Sequence, residues 1–439
     1  MKQFLRALAL LIAVLLIGCR PTPEKEIVIN RSDDLAGQRI SASAAPASAD
    51  PVTFPKRWTE SLRAADATLS IDAEIVTSGQ QTFPVRTVKR IDFPLDALQR
   101  LSDFFFPDVV SWHEGFAFTR EDFDAGIAGA LRLGEALGID LSDYLQYLSE
   151  RRKATALSDD DYHASERFEV ASLPCVAEIL LQDGHKASIF VSGRDAEFHR
   201  YAWAGIHDKK TVELDGSFDG DPTRTIVPSL SLEEAVSVAE AFFEQVQLPD
   251  FQLCEQTEAR YIDCLSSEER STGWQMKFVR SYEYAPFNVS ERDGDLWHGE
   301  VPFNLGWASE RLELYVSDRG VEHLLWLNPL EVTGVANENV SLLPFSELQS
   351  TARNLIRLWL AGKQFSLPTV LTKMVLSTSV QPVKDSRDEA YLMPVWVFVI
   401  SVYPVDFETQ KPDFSRELSP LVFGLNAIDG TRQNMSGYY

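Results

Sequence analysis

The sequence predicts an α+β protein in which antiparallel sheets carry helices on one face and the chain forms two lobes. Amphipathic segments with capping residues alternate with runs of period-two hydrophobicity, which are typical of helices and of half-buried strands. About 380 residues follow the N-terminal region, which is enough for two hydrophobic cores. Hydrophobic residues make up 45% and aromatic residues 11% of the chain, as in packed globular proteins.

The N-terminus has the layout of an export leader. Lys2 and Arg6 precede an apolar stretch, Ala7–Ile17, that is shorter than a membrane-spanning helix. Gly18 and Cys19 follow, and this arrangement resembles the signal of bacterial lipoproteins. The resemblance implies a signal peptide at 1–18, acyl chains such as palmitate on Cys19, and anchoring at the extracytoplasmic face of the cell membrane. The alternatives are an ordinary secretory signal and an uncleaved anchor helix.

Residues 19–57 are predicted to form a disordered tether. The segment is rich in Pro, Ser, Ala, Asp and Lys, and such a composition buries too little apolar surface to offset chain entropy. A random coil of this length would hold the folded body on the order of 30 Å from the membrane.

Three amphipathic helices are expected, and each is followed by a proline and a strand. The first covers residues 94–105, the second begins at Ser231 in a capping box with Glu234, and the third begins at Ser346 in one with Gln349. The prolines that follow them are Pro107, Pro249 and Pro368. Their spacing of about 120–140 residues suggests degenerate α+β repeats, although proline after a helix also has local causes.

The remaining elements complete two lobes, 58–225 and 226–439. A polar stretch before residue 226 places the boundary there. Two helices are predicted within 119–152, as an insertion in the first lobe. The expected strands are a hairpin over 177–191, a period-two strand over 274–284, a hairpin over 312–327, and apolar strands over 394–402 and 421–428.

The acidic balance excludes several classes of partner. A net charge of −24 argues against nucleic-acid binding and against docking on anionic lipid, since both need clustered Lys and Arg. The chain has no HExxH, Walker or GxSxG motif, so the sequence predicts no catalytic residue, no metal site and no cofactor. His199 and His207 are expected at a strand edge or on the surface.

The cysteines and tryptophans supply the other candidate site residues. Cys254 and Cys264 enclose a short loop whose closure by a disulfide would stabilise the fold by about 2.5–3 kcal/mol; buried thiols are the alternative. Trp297 and Trp307 lie in a Gly/Asn-containing segment near Glu300, where aromatic rings would suit a sugar. Packing of that segment onto a sheet is the simpler interpretation of the two tryptophans.

Two short stretches resemble known families. The run 19–26 resembles uncharacterised lipoproteins of Gram-positive gut bacteria, and that resemblance extends over most of the chain. The segment 345–435, which contains Asn426-Ala427-Ile428-Asp429-Gly430, is similar to PepSY-like modules and to extracytoplasmic regulators of cell-wall sensor kinases. Neither resemblance brings catalytic residues. Both imply a non-catalytic binding or regulatory role in the envelope, with an envelope protein or a glycan as partner. The alternative is a cell-surface glycan-active hydrolase that uses paired carboxylates.

Overall fold

The chain forms two sheets and six helices within the residues that its computed structural model describes. The described residues are 35–42, 53–64, 67–114, 118–137, 140–156, 176–182, 186–192, 195–200, 204–208, 226–263, 269–280, 282, 284–287, 309–361, 368–383, 386, 388–405, 412–414 and 418–433. The two sheets are open and mostly antiparallel, with helices packed on them, which confirms the predicted α+β, two-lobed fold.

The first sheet has eight strands and joins the two ends of the chain. Its members are β1 (Arg57–Ala64), β2 (Ala67–Val76), β3 (Val85–Arg90), β13 (Leu330–Asn337), β14 (Thr369–Pro382), β15 (Glu389–Val402), β16 (Leu418–Asn426) and β17 (Arg432–Gln433). The strand order is β1-β2-β14-β15-β16-β17, and β3 pairs with both β13 and β15. The pairing of β2 with β14 is parallel, and the other pairings are antiparallel.

The second sheet has nine strands and comes from the middle of the chain. Its members are β4 (Val109–Glu114), β5 (Val176–Leu181), β6 (Lys186–Ser192), β7 (Asp195–His199), β8 (Ala204–Asp208), β9 (Gln252–Asp263), β10 (Glu269–Val279), β11 (Arg311–Ser317) and β12 (Gly320–Leu327). The order is β4-β5-β6-β7-β12-β11-β10-β9-β8, and every pairing is antiparallel.

Helices cover one face of each sheet. The described helices are α1 (Leu35–Ser41), α2 (Leu95–Phe105), α3 (Arg120–Leu137), α4 (Ser142–Ala154), α5 (Leu232–Val246) and α6 (Phe345–Ala361), of which α3 and α4 pack on each other. The apolar stripes of α2 and α5 lie in the core of the second sheet, and that of α6 lies in the core of the first. No helix in the described ranges combines the length and apolarity needed to cross a bilayer.

The second sheet is built from two similar units placed back to back. Helix α2 leads into β4, β5, β6 and β7, and helix α5 leads into β9, β10, β11 and β12. The two units meet where β7 pairs with β12, so the strand order on one side of this seam mirrors the order on the other. Helix α6 followed by β14 to β17 gives a third unit of the same type in the first sheet. This arrangement agrees with the repeats suggested by the proline spacing.

The last hairpin of the first two units also carries a matching sequence. Residues 191–197 read Val-Ser-Gly-Arg-Asp-Ala-Glu, and residues 316–322 read Val-Ser-Asp-Arg-Gly-Val-Glu. Both hairpins have the same register, because Val191 faces Ala196 just as Val316 faces Val321. An arginine lies between the two strands of each hairpin in the sequence. The two units are therefore related in sequence as well as in topology.

The predicted boundary near residue 226 does not separate the two sheets. Strands β7 and β12 lie on opposite sides of it in the chain and pair with each other in the second sheet. Strands β1 to β3 precede it by more than a hundred residues and belong to the first sheet with β13 to β17. The second sheet is thus inserted between two halves of the first. The predicted boundary was wrong because strands that pair in space, such as β7 and β12, lie far apart in the sequence.

Part of the predicted tether is folded. Helix α1 lies within 19–57, and its Ile40 is 2% exposed in the core of the first sheet. The side-chain amide of Asn337 donates to the carbonyls of Ile40 and Ala42, each at 3.0 Å, and Arg39 donates to the carbonyl of Ile428. The prediction of disorder was wrong for this segment because its composition is rich in small and polar residues. Composition does not reveal one buried isoleucine or three hydrogen bonds to distant residues.

The segment after β10 connects the two sheets. Strand β10 ends at Val279, before the expected end at residue 284, and Tyr282 has a positive φ of 46°. The Tyr284 hydroxyl then donates to the carbonyl of Pro84 at 3.0 Å, and the Ala285 amide donates to Leu376 at 3.2 Å. Both acceptors belong to the lobe of the first sheet.

Candidate functional site

Three polar side chains meet at the seam of the second sheet. Glu197 and His199 project from the same face of β7 because they are two residues apart on a strand. His323 of β12 is the cross-strand partner of His199 in the register. We call Glu197, His199 and His323 the His–Glu cluster. It lies on the face opposite α2 and α5, since the alternate residues Ala196 and Phe198 belong to the helix-covered core.

The three groups are in direct contact. Glu197 Oε1 lies 2.8 Å from His199 Nε2 and 2.9 Å from His323 Nε2. The two imidazole centroids are 4.4 Å apart. One ligating atom from each side chain falls within 4.8 Å of the others. Two imidazoles and one carboxylate in this arrangement can share protons or hold a cation.

Burial sets the protonation of the cluster. The side chain of His323 is 6% exposed and that of Glu197 is 11% exposed. Burial and the neighbouring His199 lower the pKa of His323, so its imidazole is neutral. Burial opposes ionisation of Glu197, but contacts with the two histidines outweigh it and hold its pKa well below the ordinary value. An ionised carboxylate beside a neutral imidazole is the state in which both groups can bind a metal.

A β-bulge aims His323 at the cluster. Tyr315 of β11 faces His323, whereas the next residue, Val316, faces Val321, so Glu322 is an extra residue in β12. In β7, which has no such irregularity in its pairing with β6, the residue after the matching glutamate is Phe198, and it points into the core. The extra residue shifts the alternation of β12 and turns His323 to the opposite face.

A second layer of buried hydroxyls surrounds the cluster. The Tyr261 hydroxyl lies 2.8 Å from His199 Nδ1. Ser271 and Ser317 each donate to Glu322 Oε2 at 2.6 Å, and Ser271 also lies 3.2 Å from the Tyr315 hydroxyl. Burial raises the pKa of Tyr315 above its ordinary value, so this phenol keeps its proton. The polar face therefore holds two hydrogen-bonded groups, one around Glu197 and one around Glu322.

Sequence reasoning located only one member of the His–Glu cluster. His199 is at the end of β7, as expected for a strand-edge histidine, but its side chain is only 19% exposed. Its contact is His323, which belongs to no recognisable sequence motif. The side chain of His207 is not among those described. A partial signal was the repeated Val-Ser-x-Arg-x-x-Glu pattern, which relates the two hairpins in sequence but does not show that they pair.

A groove lies on the outer face of the first sheet. It has a volume of about 470 Å³ and is lined by Arg57, Ser70, Asp72, Glu74, Val370, Thr372, Tyr403 and Phe414. We call it the outer groove. Phe414 is 63% exposed and meets Tyr403 edge to face at 5.0 Å. Arg57 makes a two-point ion pair with Asp72, with both distances at 2.6 Å. The groove thus combines an exposed aromatic ring with charged and hydroxyl groups.

The predicted disulfide does not form. Cys254 is a free thiol that donates to the carbonyl of Lys277 at 3.2 Å, and burial raises its pKa to about 12. Strand β9 holds Cys254 and Asp263 on the order of 30 Å apart at the usual rise per residue. Cys264 directly follows Asp263 in the sequence, whereas a disulfide needs Cα atoms about 4.4–6.8 Å apart. The sequence alone did not show that one extended strand occupies the whole interval.

Besides Cys264, three of the predicted site residues lie outside the described residues: Cys19, Trp297 and Trp307. The lipid-attachment and tryptophan hypotheses therefore remain predictions.

Comparisons with known proteins add one distant structural likeness. No protein-family model matches the chain, and no curated protein matches it. The crystal structure of an uncharacterized protein from Eubacterium rectale ATCC 33656 is similar with a TM-score of 0.47 and 12% identity. The alignment covers 92% of this chain and 99% of that one.

Proposed function

We propose that this chain is a lipid-anchored protein of the bacterial envelope that binds a glycan or an envelope protein outside the cytoplasm, without catalysing a reaction. The observation that carries the proposal is the N-terminal layout. A basic start, a short apolar run and Gly18-Cys19 are the parts that lipoprotein export and acylation require.

The docking of α1 limits how far the body can be from an anchor at Cys19. About 16 residues separate Cys19 from Leu35, and they span at most about 55 Å when fully extended. This link is shorter than the predicted tether of residues 19–57, so it supports a folded body held near the membrane. The first sheet follows the anchor first along the chain.

The outer groove suits binding, and its Asp72 is poorly suited to act as the acid of a hydrolase. A glycosidase needs one carboxyl group whose pKa is raised so that it can donate a proton. In the groove, hydrogen bonds from Arg57 instead hold the pKa of Asp72 below its ordinary value. The exposed Phe414 ring and the neighbouring hydroxyl and charged groups suit the faces and hydroxyls of a sugar.

Replacing Cys19 tests the proposal. The full chain and its Cys19→Ser variant are expressed in bacteria that are fed an alkyne-tagged fatty acid. We expect the parent chain to be labelled, to lose residues 1–18 and to fractionate with membranes, and Cys19→Ser to be neither labelled nor cleaved. Cys254→Ser is the matched control, because that thiol lies within β9; its labelling should equal that of the parent.

Mass spectrometry of the N-terminal peptide can contradict the proposal. A bare Cys19 thiol with the leader still attached would refute the lipid anchor.

A further inference from the structure

We propose that the His–Glu cluster is a zinc site in which Glu197, His199 and His323 bind one Zn²⁺ ion and leave a fourth position open. Two imidazoles and one carboxylate are a ligand set that zinc accepts in three-ligand sites. Within the part of the chain that the structure describes, these three residues form the one such group of potential ligands.

The distances between the ligating atoms of the cluster are close to those around a tetrahedral zinc ion. Tetrahedral zinc holds ligand atoms about 2.0–2.2 Å away, which places them about 3.4 Å from one another. Glu197 Oε1 is now 2.8 and 2.9 Å from the two Nε2 atoms. Glu197 Oε1 would therefore lie about half an ångström farther from each nitrogen in a zinc site, and the ligating atoms already lie within 4.8 Å of one another. The two backbones need not move, because paired strands already hold His199 opposite His323.

The imidazole of His323 has one ring nitrogen without a hydrogen-bond partner. Its Nδ1 is buried and has no hydrogen-bond partner, although a buried polar atom without one is costly. With the proton on Nε2, as the contact with Glu197 requires, the lone pair sits unused on Nδ1. Moving that proton to Nδ1 frees the Nε2 lone pair, which faces Glu197, for an ion. Zinc binding to the neutral ring therefore needs a tautomer change and no proton loss from it.

The surroundings of His199 complete the site. When Nε2 binds an ion, Nδ1 carries the proton and can donate to the Tyr261 hydroxyl, which lies 2.8 Å away. Metal-binding histidines usually have such a partner on the second nitrogen, and it fixes the ring orientation. His199 is also the most exposed member of the cluster at 19%, so an ion and its remaining water ligand can approach from its side.

Zinc titration of the full chain in detergent tests the proposal. Metal-free protein is titrated with Zn²⁺ against a fluorescent chelator, and Co²⁺ is added separately to read the coordination by visible absorption. We expect one tightly bound Zn²⁺ per chain and the intense absorption of tetrahedral Co²⁺. The substitutions His199→Asn and Glu197→Gln should each weaken Zn²⁺ binding at least 100-fold and abolish that absorption.

Two matched variants control for Zn²⁺ binding by other histidines and carboxylates. His113→Asn changes a histidine on β4, the edge strand of the same sheet, and Glu331→Gln changes an exposed carboxylate of β13. Both should bind Zn²⁺ like the parent. Circular dichroism shows which variants fold, and His199→Asn is the more secure test because its side chain is partly exposed. Failure of the parent to bind one Zn²⁺, or parent-like affinity in folded His199→Asn, would overturn the proposal, whereas lipid attachment at Cys19 would be unaffected.

Discussion

At the scale of single residues, Glu322 decides whether the two histidines meet. It is the extra residue of the bulge, so His323 faces Glu197 instead of joining Phe198 in the core. The matching hairpin of the first unit has no extra residue and places Phe198 at the corresponding point. Two related hairpins thus supply different side chains to one polar face.

Phe414 is the residue on which ligand binding in the outer groove can be tested. Loss of its exposed ring should cost about 1 kcal/mol of binding, or about fivefold in affinity, if a sugar stacks on it. We expect Phe414→Ala to be retained about fivefold less on immobilised cell-wall glycan fragments. Leu131→Ala is the control, since Leu131 is also an exposed apolar residue but lies on α3. Equal retention of the two variants and the parent would argue against a glycan in the groove.

At the scale of elements, α5 shows how local sequence sets a helix start. Ser231 accepts from the Glu234 amide at 3.3 Å, and Glu234 accepts from the Ser231 amide at 2.9 Å. The apolar stripe then packs on the second sheet through Ala235, Ala239 and Phe242. The capping box was legible in the sequence because both of its partners lie within three residues.

The capping box predicts an acid-sensitive contribution to stability. Hydrogen bonds from Ser231 lower the pKa of Glu234 in the folded chain, so the contribution is present above the unfolded pKa near 4.3 and is lost as pH falls through the folded value. Glu234→Gln keeps a capping side chain that does not titrate. We therefore expect a smaller loss of urea midpoint between pH 7 and pH 3 in Glu234→Gln than in the parent. Ser231→Ala should lower the unfolding free energy by about 1 kcal/mol at pH 7. Identical acid losses in parent and Glu234→Gln would count against this role.

At the scale of the whole molecule, one buried ion pair joins the two sheets. Arg280, just after β10, pairs with Glu310 and donates to the carbonyl of Leu330 in β13 at 2.7 Å. The Trp326 indole donates to the other oxygen of Glu310 at 3.0 Å. The side chains of Arg280 and Glu310 are 14% and 3% exposed. Loss of one partner therefore leaves a buried charge without compensation.

Breaking this pair should destabilise the molecule strongly. We expect Arg280→Met to lower the unfolding free energy by about 3–5 kcal/mol in urea, and the double variant Arg280→Met/Glu310→Met to recover much of that loss. The control is Lys277→Met, which removes the partly exposed pair with Glu255 and should cost about 0–1 kcal/mol. An effect of Arg280→Met no larger than that of Lys277→Met would contradict the assigned role.

The sequence by itself determined the local features of this protein. It predicted helices near residues 94, 231 and 346, because an apolar stripe involves residues within a few turns of one another. The capping box predicted at Ser231 is present. The one predicted at Ser346 is wrong, because α6 begins at Phe345 and Ser346 lies inside the helix. The same local reasoning assigned residues 1–18 as a leader that precedes Cys19, and this stays a prediction. It failed for α1, whose helix depends on contacts with Asn337 and Ile428 far along the chain.

Only the tertiary structure decided which strands share a sheet and which polar face is buried. A period-two strand has the same pattern whether its polar side faces solvent or the protein interior, so His199 was predicted at a strand edge or on the surface. The pairing of β7 with β12 brings His199 to His323 across more than a hundred residues. No local pattern encodes that contact, because strand pairing depends on the whole sheet and on one bulge at Glu322.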